Sequence, residues 1–250
     1  IYYSYSRGYY FNMILVTGNG TLATELVKLS TEKVPIISLS RKNMDITDEY
    51  IVSDMIKKYM VTPNRPKYLI HTAALTKPME INDTNPIESL SVNIVGTSNV
   101  AKICHKYGIK FIYISTDFVY PSRKYNYMPL SHREDTPLKP SNNYGWSKLG
   151  GECVTRLIPN SLILRCALCD IPFRHDIAFD DVYRSSITHK DIAPLILKLK
   201  DEVGVINLAG ETKTVYDFVS QHQKIKRGTG KEVAPSLRIN TQKLKGLLNE

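Results

Sequence analysis

The chain has 250 residues, and 33 Lys and Arg against 24 Asp and Glu give a formal net charge of +9. Hydrophobic residues make up 42% and charged residues 23%. That balance excludes a disordered chain, a collagen-like chain and a disulfide-stapled miniprotein. The length suits one large domain or one domain with a smaller lobe, and no apolar run approaches the roughly 18 residues of a membrane-spanning helix.

Residues 1–12 read IYYSYSRGYYFN, with Tyr at five of the first ten positions. They lack the basic start and apolar core of a secretory signal. We expect a tail outside the fold, with Met13 opening it. An apolar run over 13–17 reads as a first strand and is followed by Gly18-Asn19-Gly20. Apolar residues at 22, 23, 26, 27 and 29 then follow helical spacing. Residues 34–39 form a second strand. Residues 48–59 form a helix with Asp48 or Thr47 as its N-cap. Residues 68–71 form a third strand, 87–107 a long helix and 110–115 a fourth strand. Pro121, Pro129, Pro137 and Pro140 mark 121–143 as a long loop, a length that is usually functional. A helix over 144–157 and a strand over 161–165 follow. Past Arg165 the pattern loosens to a helix at 189–199, a strand at 204–209 and a helix at 215–222.

Continuous apolar strands alternating with helices predict an α/β fold of the Rossmann type, a doubly wound parallel sheet buried on both faces. The expected division is a dinucleotide-binding domain over 13–165 and a small, abbreviated substrate-binding region over 166–250, interleaved with the sheet. The basic residues are spread out; the densest run is Lys224, Lys226, Arg227 and Lys231. They read as a solvated surface, with neither nucleic acid nor membrane as partner. Cys104, Cys153, Cys166 and Cys169 are too few and too irregular for a disulfide framework. Cys166-x-x-Cys169 has no second such pair and no His at finger spacing, so it reads as a partly buried thiol pair with no metal. A cytoplasmic setting fits this usage.

Gly18-x-Gly20-x-x-Ala23 lies between the first strand and the first helix, the context that a dinucleotide fingerprint requires. Gly18 permits the turn, Gly20 leaves room for a pyrophosphate, and Ala23 lets helix and strand approach. Thr21 and Leu22 open the helix whose free N–H groups would face the phosphates. The second strand ends Ser38-Leu39-Ser40-Arg41-Lys42, without an acid to hold the ribose of NAD. Ser40 followed by two cations suits a 2′-phosphate, so NADP(H) is favoured and NAD(H) is the other candidate. Asp45, in Asp45-Ile46-Thr47-Asp48, could reach an adenine amino group or simply cap a helix.

Tyr144-Gly-Trp-Ser-Lys148 places a phenol and an ammonium four apart on one helix face. An ammonium beneath the phenol is expected to lower its pKa and to make it a general acid/base for a carbonyl oxygen. Thr116, just past the fourth strand, could donate to the same oxygen.

These motifs, with MDITD (44–48), HTAALTKPMEIN (71–82), VNIVGTSNVAK (92–102), ISTDFVY (114–120), NNYGWSKLGGE (142–152), LILR (162–165), SSITHKDIA (185–193) and RINTQKL (238–244), resemble the dTDP-4-dehydrorhamnose reductase family of extended short-chain dehydrogenases/reductases. The resemblance implies Thr116, Tyr144 and Lys148 as the catalytic triad. It puts Gly18, Gly20, Thr21 and Leu22 on the pyrophosphate and Asp45 and Ile46 on the adenine. Ala73, Ala74, Thr76 and Asn93 fall beside the nicotinamide, with Asn93 equally readable as a structural hydrogen-bonder. Ser40, Arg41 and Ser115 complete the cofactor side, and Asp117 joins Thr116 on the substrate side. Thr116-Asp117-Phe118 lacks the Glu of the related dehydratases, so reduction is implied rather than water elimination.

The chain also departs from the family. Its glycine turn is one residue short, Arg165-Cys-Ala-Leu168 lacks the family's Trp, and Arg165 to Ser185 spans only about twenty residues. A helix of the substrate lobe is expected to be missing. The implied activity is NADP-dependent reduction of a nucleotide-linked 4-keto-6-deoxy sugar, alone, as a homodimer or with a partner enzyme. The alternative is a non-catalytic NADP-binding subunit resembling the regulatory beta subunit of methionine adenosyltransferase.

Overall fold

The computed structural model describes residues 12–76, 79–122, 131–230 and 236–249. All of the expected tail but Asn12, residues 123–130 of the expected long loop, and Lys231 lie outside the described residues. In chain order the elements begin with β1 (Met13–Thr17), α1 (Thr21–Lys28), β2 (Ile36–Leu39), α2 (Glu49–Met60), β3 (Pro66–His71), α3 (Ile81–Thr84) and α4 (Pro86–Leu90). A π-helical segment (Ser91–Gly96), α5 (Thr97–Tyr107), β4 (Lys110–Thr116), a 3-10 turn (Asp117–Val119), α6 (Asn143–Arg156) and β5 (Leu162–Cys166) follow. Then come β6 (Leu168–Cys169), β7 (Ile177–Phe179), β8 (Tyr183–Arg184), β9 (Ile187–Thr188) and α7 (His189–Lys198). The chain closes with β10 (Gly204–Leu208), β11 (Lys213–Thr214), α8 (Val215–Ser220), β12 (Lys226–Gly228) and α9 (Gln242–Leu248).

The central sheet runs β10-β5-β4-β3-β1-β2, with every pairing parallel. Successive side chains of each strand enter opposite cores, as strand geometry requires. Ile14, Val16, Ile70, Ile112 and Leu164 join one core, which α1 and α7 cover. Leu15, Leu69, Phe111 and Ile163 join the other, under α2 and α5. Burial on both faces is why the strands read as unbroken apolar runs. Strand order reverses between β1 and β3, so ligands are expected off the carboxyl ends of those strands.

Asp48 caps α2, its carboxylate accepting from the N–H groups of Tyr50 and Ile51 at 2.9 and 3.1 Å. The single helix expected over 87–107 is instead α4, the π segment and α5. Asn85 caps the start and Pro86 occupies its first turn, where a missing N–H costs nothing. The π segment widens the helix where Asn93 turns inward. Beyond β5, β10 adds the sixth strand beside it. No helix lies between Cys166 and Thr188; β6 to β9 are short strands instead. No helix among the described residues is long and apolar enough to cross a membrane.

Candidate active site

The glycine turn starts at Thr17, the last residue of β1. Gly18 has φ +85°, and a Cβ there would stand 3.2 Å from the Ala73 backbone. Glycine satisfies both constraints. Its N–H donates to Leu39 O at 2.7 Å, and its carbonyl accepts from Ser38 Oγ at 2.9 Å. A Cβ on Gly20 would meet nothing within 4 Å. Gly20 is the N-cap of α1, with no side-chain cap bond and no acid in the first turn. Thr21 is exposed and Leu22 is buried in the core. An open glycine before uncapped helix N–H groups fits a pyrophosphate.

At the end of β2 the expected cofactor residues engage one another. Ser40 Oγ donates to Asn43 Oδ1 at 2.6 Å. Arg41 Nε lies 3.2 Å from Asp45 Oδ2, with the arginine side chain 72% exposed. Asp45 Oδ1 accepts from the Thr47 N–H and hydroxyl at 3.0 and 2.7 Å. Burial alone would raise the Asp45 carboxyl, but the Thr47 hydrogen bonds and the Arg41 contact outweigh it and hold the group below its usual range. The Ile46 side chain belongs to the core, and its carbonyl accepts from Asn99 Nδ2 at 3.0 Å.

The segment after β3 carries Ala73, Ala74 and Thr76, all part-buried. Asn93 holds this segment: its amide donates to Leu75 O at 3.1 Å and its Oδ1 accepts from the Leu75 N–H at 2.7 Å. The same amide donates to Ser147 Oγ on α6 at 2.9 Å. Asn93 thus ties this segment to α6 by hydrogen bonds. A π-helical turn carrying such an inward residue is common beside functional sites.

Asn142 caps α6 through the Gly145 N–H at 2.8 Å, which sets Tyr144 and Lys148 one turn apart at the end of β4. Tyr144 lies close to the Thr116 side chain. The phenol lies well above its usual range, because burial disfavours its charged form more than Thr116 stabilises it. This differs from the expectation that Lys148 lowers it. The Lys148 ammonium, 4% exposed, instead sits 4.3 Å from the centroid of the Tyr113 ring, a cation–π arrangement. Burial pulls Lys148 down to about 7, against the opposing influence of Cys166 and Glu152. Tyr113 also donates its hydroxyl to the Lys148 carbonyl at 3.1 Å.

Asp117 is 1% exposed. Its Oδ1 accepts from Thr116 Oγ1 at 3.2 Å and its Oδ2 from Arg184 Nη2 at 2.7 Å. The Arg184 guanidinium lies 4.8 Å from the Phe118 ring centroid, and Phe118 meets Tyr144 edge to face at 5.9 Å. Ser115 does not stand alone: its hydroxyl donates to Glu152 Oε1 at 2.6 Å, and Glu152 pairs with Arg165 at 2.9 Å, both side chains fully buried. Cys166, opposite Thr116 in the β4–β5 register, is a buried free thiol, and Cys169 is part-buried and free. Burial pushes Cys169 up to about 11 and Cys166 further. Among the described residues no cluster of three or more His, Cys, Asp or Glu could hold a metal.

Arg184, Tyr113 and the Glu152–Arg165 pair escaped the sequence reading. Glu152 could have been found, since it follows Lys148 by four residues on one helix face. Arg184 carries no local signal; it reaches the site only through the tertiary fold.

The model of the RmlD substrate binding domain matches residues 12–169. The dTDP-4-dehydrorhamnose reductase of Streptomyces griseus is 31% identical over 150 residues, 59% of this chain and 46% of that protein. The methionine adenosyltransferase 2 subunit beta of Xenopus laevis is 32% identical over 109 residues, 44% of this chain and 29% of that protein. The chain therefore spans about half the length, or less, of these curated relatives. Among solved structures, dTDP-4-dehydrorhamnose reductase from Bacillus anthracis in complex with NADP superimposes with a TM-score of 0.79 at 22% identity, covering 95% of this chain and 92% of that one.

Proposed function

The chain belongs to the RmlD substrate binding domain family, and we propose that it is an NADP(H)-dependent reductase of the 4-keto group of a nucleotide-linked 4-keto-6-deoxy sugar. The observation that carries this reading is one place in the fold. The glycine turn follows β1, Thr116 ends β4, and the start of α6 with Tyr144 packs against the turn after β4, so these groups are carried on the carboxyl-end side of the parallel strands around the β1–β3 switch point. The names of the matched reductases and the NADP complex of the Bacillus anthracis protein support the substrate and cofactor classes.

Gly18, Gly20 and the first N–H groups of α1 would hold the pyrophosphate, and Ser40, Arg41 and Asp45 the adenosine end. When bound, the dinucleotide supplies the hydride for the sugar C4. Burial keeps the Tyr144 phenol protonated, which is the form that gives a proton to an alkoxide developing on the sugar oxygen. Thr116, whose hydroxyl proton lies on Asp117 Oδ1 here, would turn that proton to the same sugar oxygen. Lys148, held over the Tyr113 ring, would orient the cofactor ribose.

A second reading, a non-catalytic NADP-binding subunit, draws on the absence of a helix between Cys166 and Thr188 and on the match to the Xenopus laevis subunit. One assay separates the two. NADPH oxidation is followed with dTDP- and UDP-4-keto-6-deoxyglucose, each preincubated with a 3,5-epimerase, beside Tyr144→Phe. Turnover that vanishes in the variant establishes the reductase. Tight NADPH binding without turnover favours the second reading.

A further inference from the structure

His71 ends β3 and is fully buried, yet the proposed chemistry makes no use of it. Its two ring nitrogens face two threonines: Nδ1 lies 2.8 Å from Thr17 Oγ1 and Nε2 lies 3.1 Å from Thr97 Oγ1. The other bonds of those hydroxyls favour one arrangement of the hydrogens. Thr97 Oγ1 donates its single proton to Asn93 O at 2.8 Å, so toward His71 it can only accept. His71 Nε2 must therefore carry the ring proton. Burial, then the nearby Lys148 charge, holds the imidazole neutral, down to about 3. A neutral ring has one N–H, so Nδ1 is bare and accepts from the Thr17 hydroxyl. Thr17 Oγ1 in turn accepts from the Ala73 N–H at 3.1 Å. Hydrogen bonds thus run in one direction from Ala73 through Thr17, His71 and Thr97 to Asn93, whose side chain holds Leu75 and Ser147. Phe111 and Tyr113 of β4 flank the ring at 5.6 and 5.9 Å.

We propose that His71, accepting at Nδ1 and donating from Nε2, is a positioning residue that ties the glycine turn to the helix bearing Tyr144 and Lys148. Thr17 leads directly into Gly18, and Ser147 directly precedes Lys148. The strut therefore joins the phosphate end and the reacting end of the cofactor crevice. Part of this inference, the link to cofactor affinity, rests on the dinucleotide-binding reading above.

The test has two arms on the full chain. Long-range proton–nitrogen NMR on histidine-labelled protein reads the tautomer. A pyridine-type Nδ1 and a protonated Nε2 on His71 support the proposal; the opposite tautomer, or an imidazolium at neutral pH, overturns it. The second arm titrates NADPH against wild type, His71→Leu and His71→Asn. His71→Leu removes both bonds and should weaken NADPH by about tenfold or more, the scale of an unmet buried hydrogen bond. His71→Asn places a carbonyl oxygen near the position of Nδ1 and should recover most of that loss. A folded His71→Leu that binds NADPH like wild type overturns the strut. If His71→Leu does not fold, the tautomer arm and His71→Asn decide. If wild type itself fails to bind NADPH, the dinucleotide reading and the link to cofactor affinity fall; the predicted tautomer in the spectrum then supports the strut by itself, and the opposite tautomer overturns it as well.

Discussion

Glu152→Gln should be among the most destabilising isosteric changes available to this chain. Glu152 Oε1 accepts from Ser115 Oγ at 2.6 Å and from Arg165 Nε at 3.0 Å, and Oε2 accepts from Arg165 Nη2 at 2.9 Å. Arg165 completes its fork on Tyr120 Oη at 2.8 Å and the Glu134 carbonyl at 3.0 Å. Glutamine keeps the shape but removes the charge that, among the described residues, pairs with a guanidinium that has no exposed surface. It also turns an amide donor toward a cation that can only donate. Breaking one side of such a buried pair costs about 3–5 kcal/mol. For a domain of this size each kcal/mol moves the melting temperature by about 2–4 °C, so a fall of roughly 6–20 °C is expected. Urea unfolding should show a lower midpoint with an unchanged slope. Replacing both partners, as Glu152→Leu with Arg165→Met, removes the stranded charge and should recover much of the loss. A Glu152→Gln penalty under about 1 kcal/mol, or simple additivity in the double variant, would refute the reasoning.

Four further outcomes are expected. Tyr144→Phe should abolish turnover while NADPH affinity, read by titration, stays within a few-fold of wild type. Arg41→Ala should weaken NADPH more than NADH; equal losses in parallel titrations would remove the 2′-phosphate contact. Gly151→Ala drives a Cβ into the buried Tyr113 hydroxyl, an overpacking worth about 1–3 kcal/mol; because Tyr113 carries Lys148, calorimetry and turnover should fall together. Lys148 is depressed from 10.5 to about 7, so between those values the unfolded chain binds the extra proton and stability rises with pH. Lys148→Met should flatten that slope, which unfolding midpoints measured across the window would reveal.

The parallel strands were legible because burial on both faces leaves an apolar run, and the glycine turn because φ +85° at Gly18 and the approach of Ala73 demand glycine. Tyr144 and Lys148 were legible because helical spacing sets them on one face. The hidden parts depend on tertiary contact. Arg184 reaches Asp117 across 67 positions, and nothing near it in sequence marks it. The displacement of Lys148 onto Tyr113 follows from packing against β4, which a motif cannot express. The break of the 87–107 helix into a π segment reflects the inward pull of Asn93, whose partners lie on two other elements.

The pairing of β10 with β5 has a practical consequence. The stretch that matches the family ends at residue 169, but β5 is covered on its outer side by a strand starting at Gly204. A fragment cut at the apparent family boundary would present the unsatisfied N–H and C=O row of β5, with Leu162, Ile163 and Leu164 along it. Such a raw hydrophobic edge invites strand addition and aggregation. The matched stretch and the segment that supplies β10 share one sheet, so expression or evolutionary shuffling that treats the boundary as a seam should yield insoluble product.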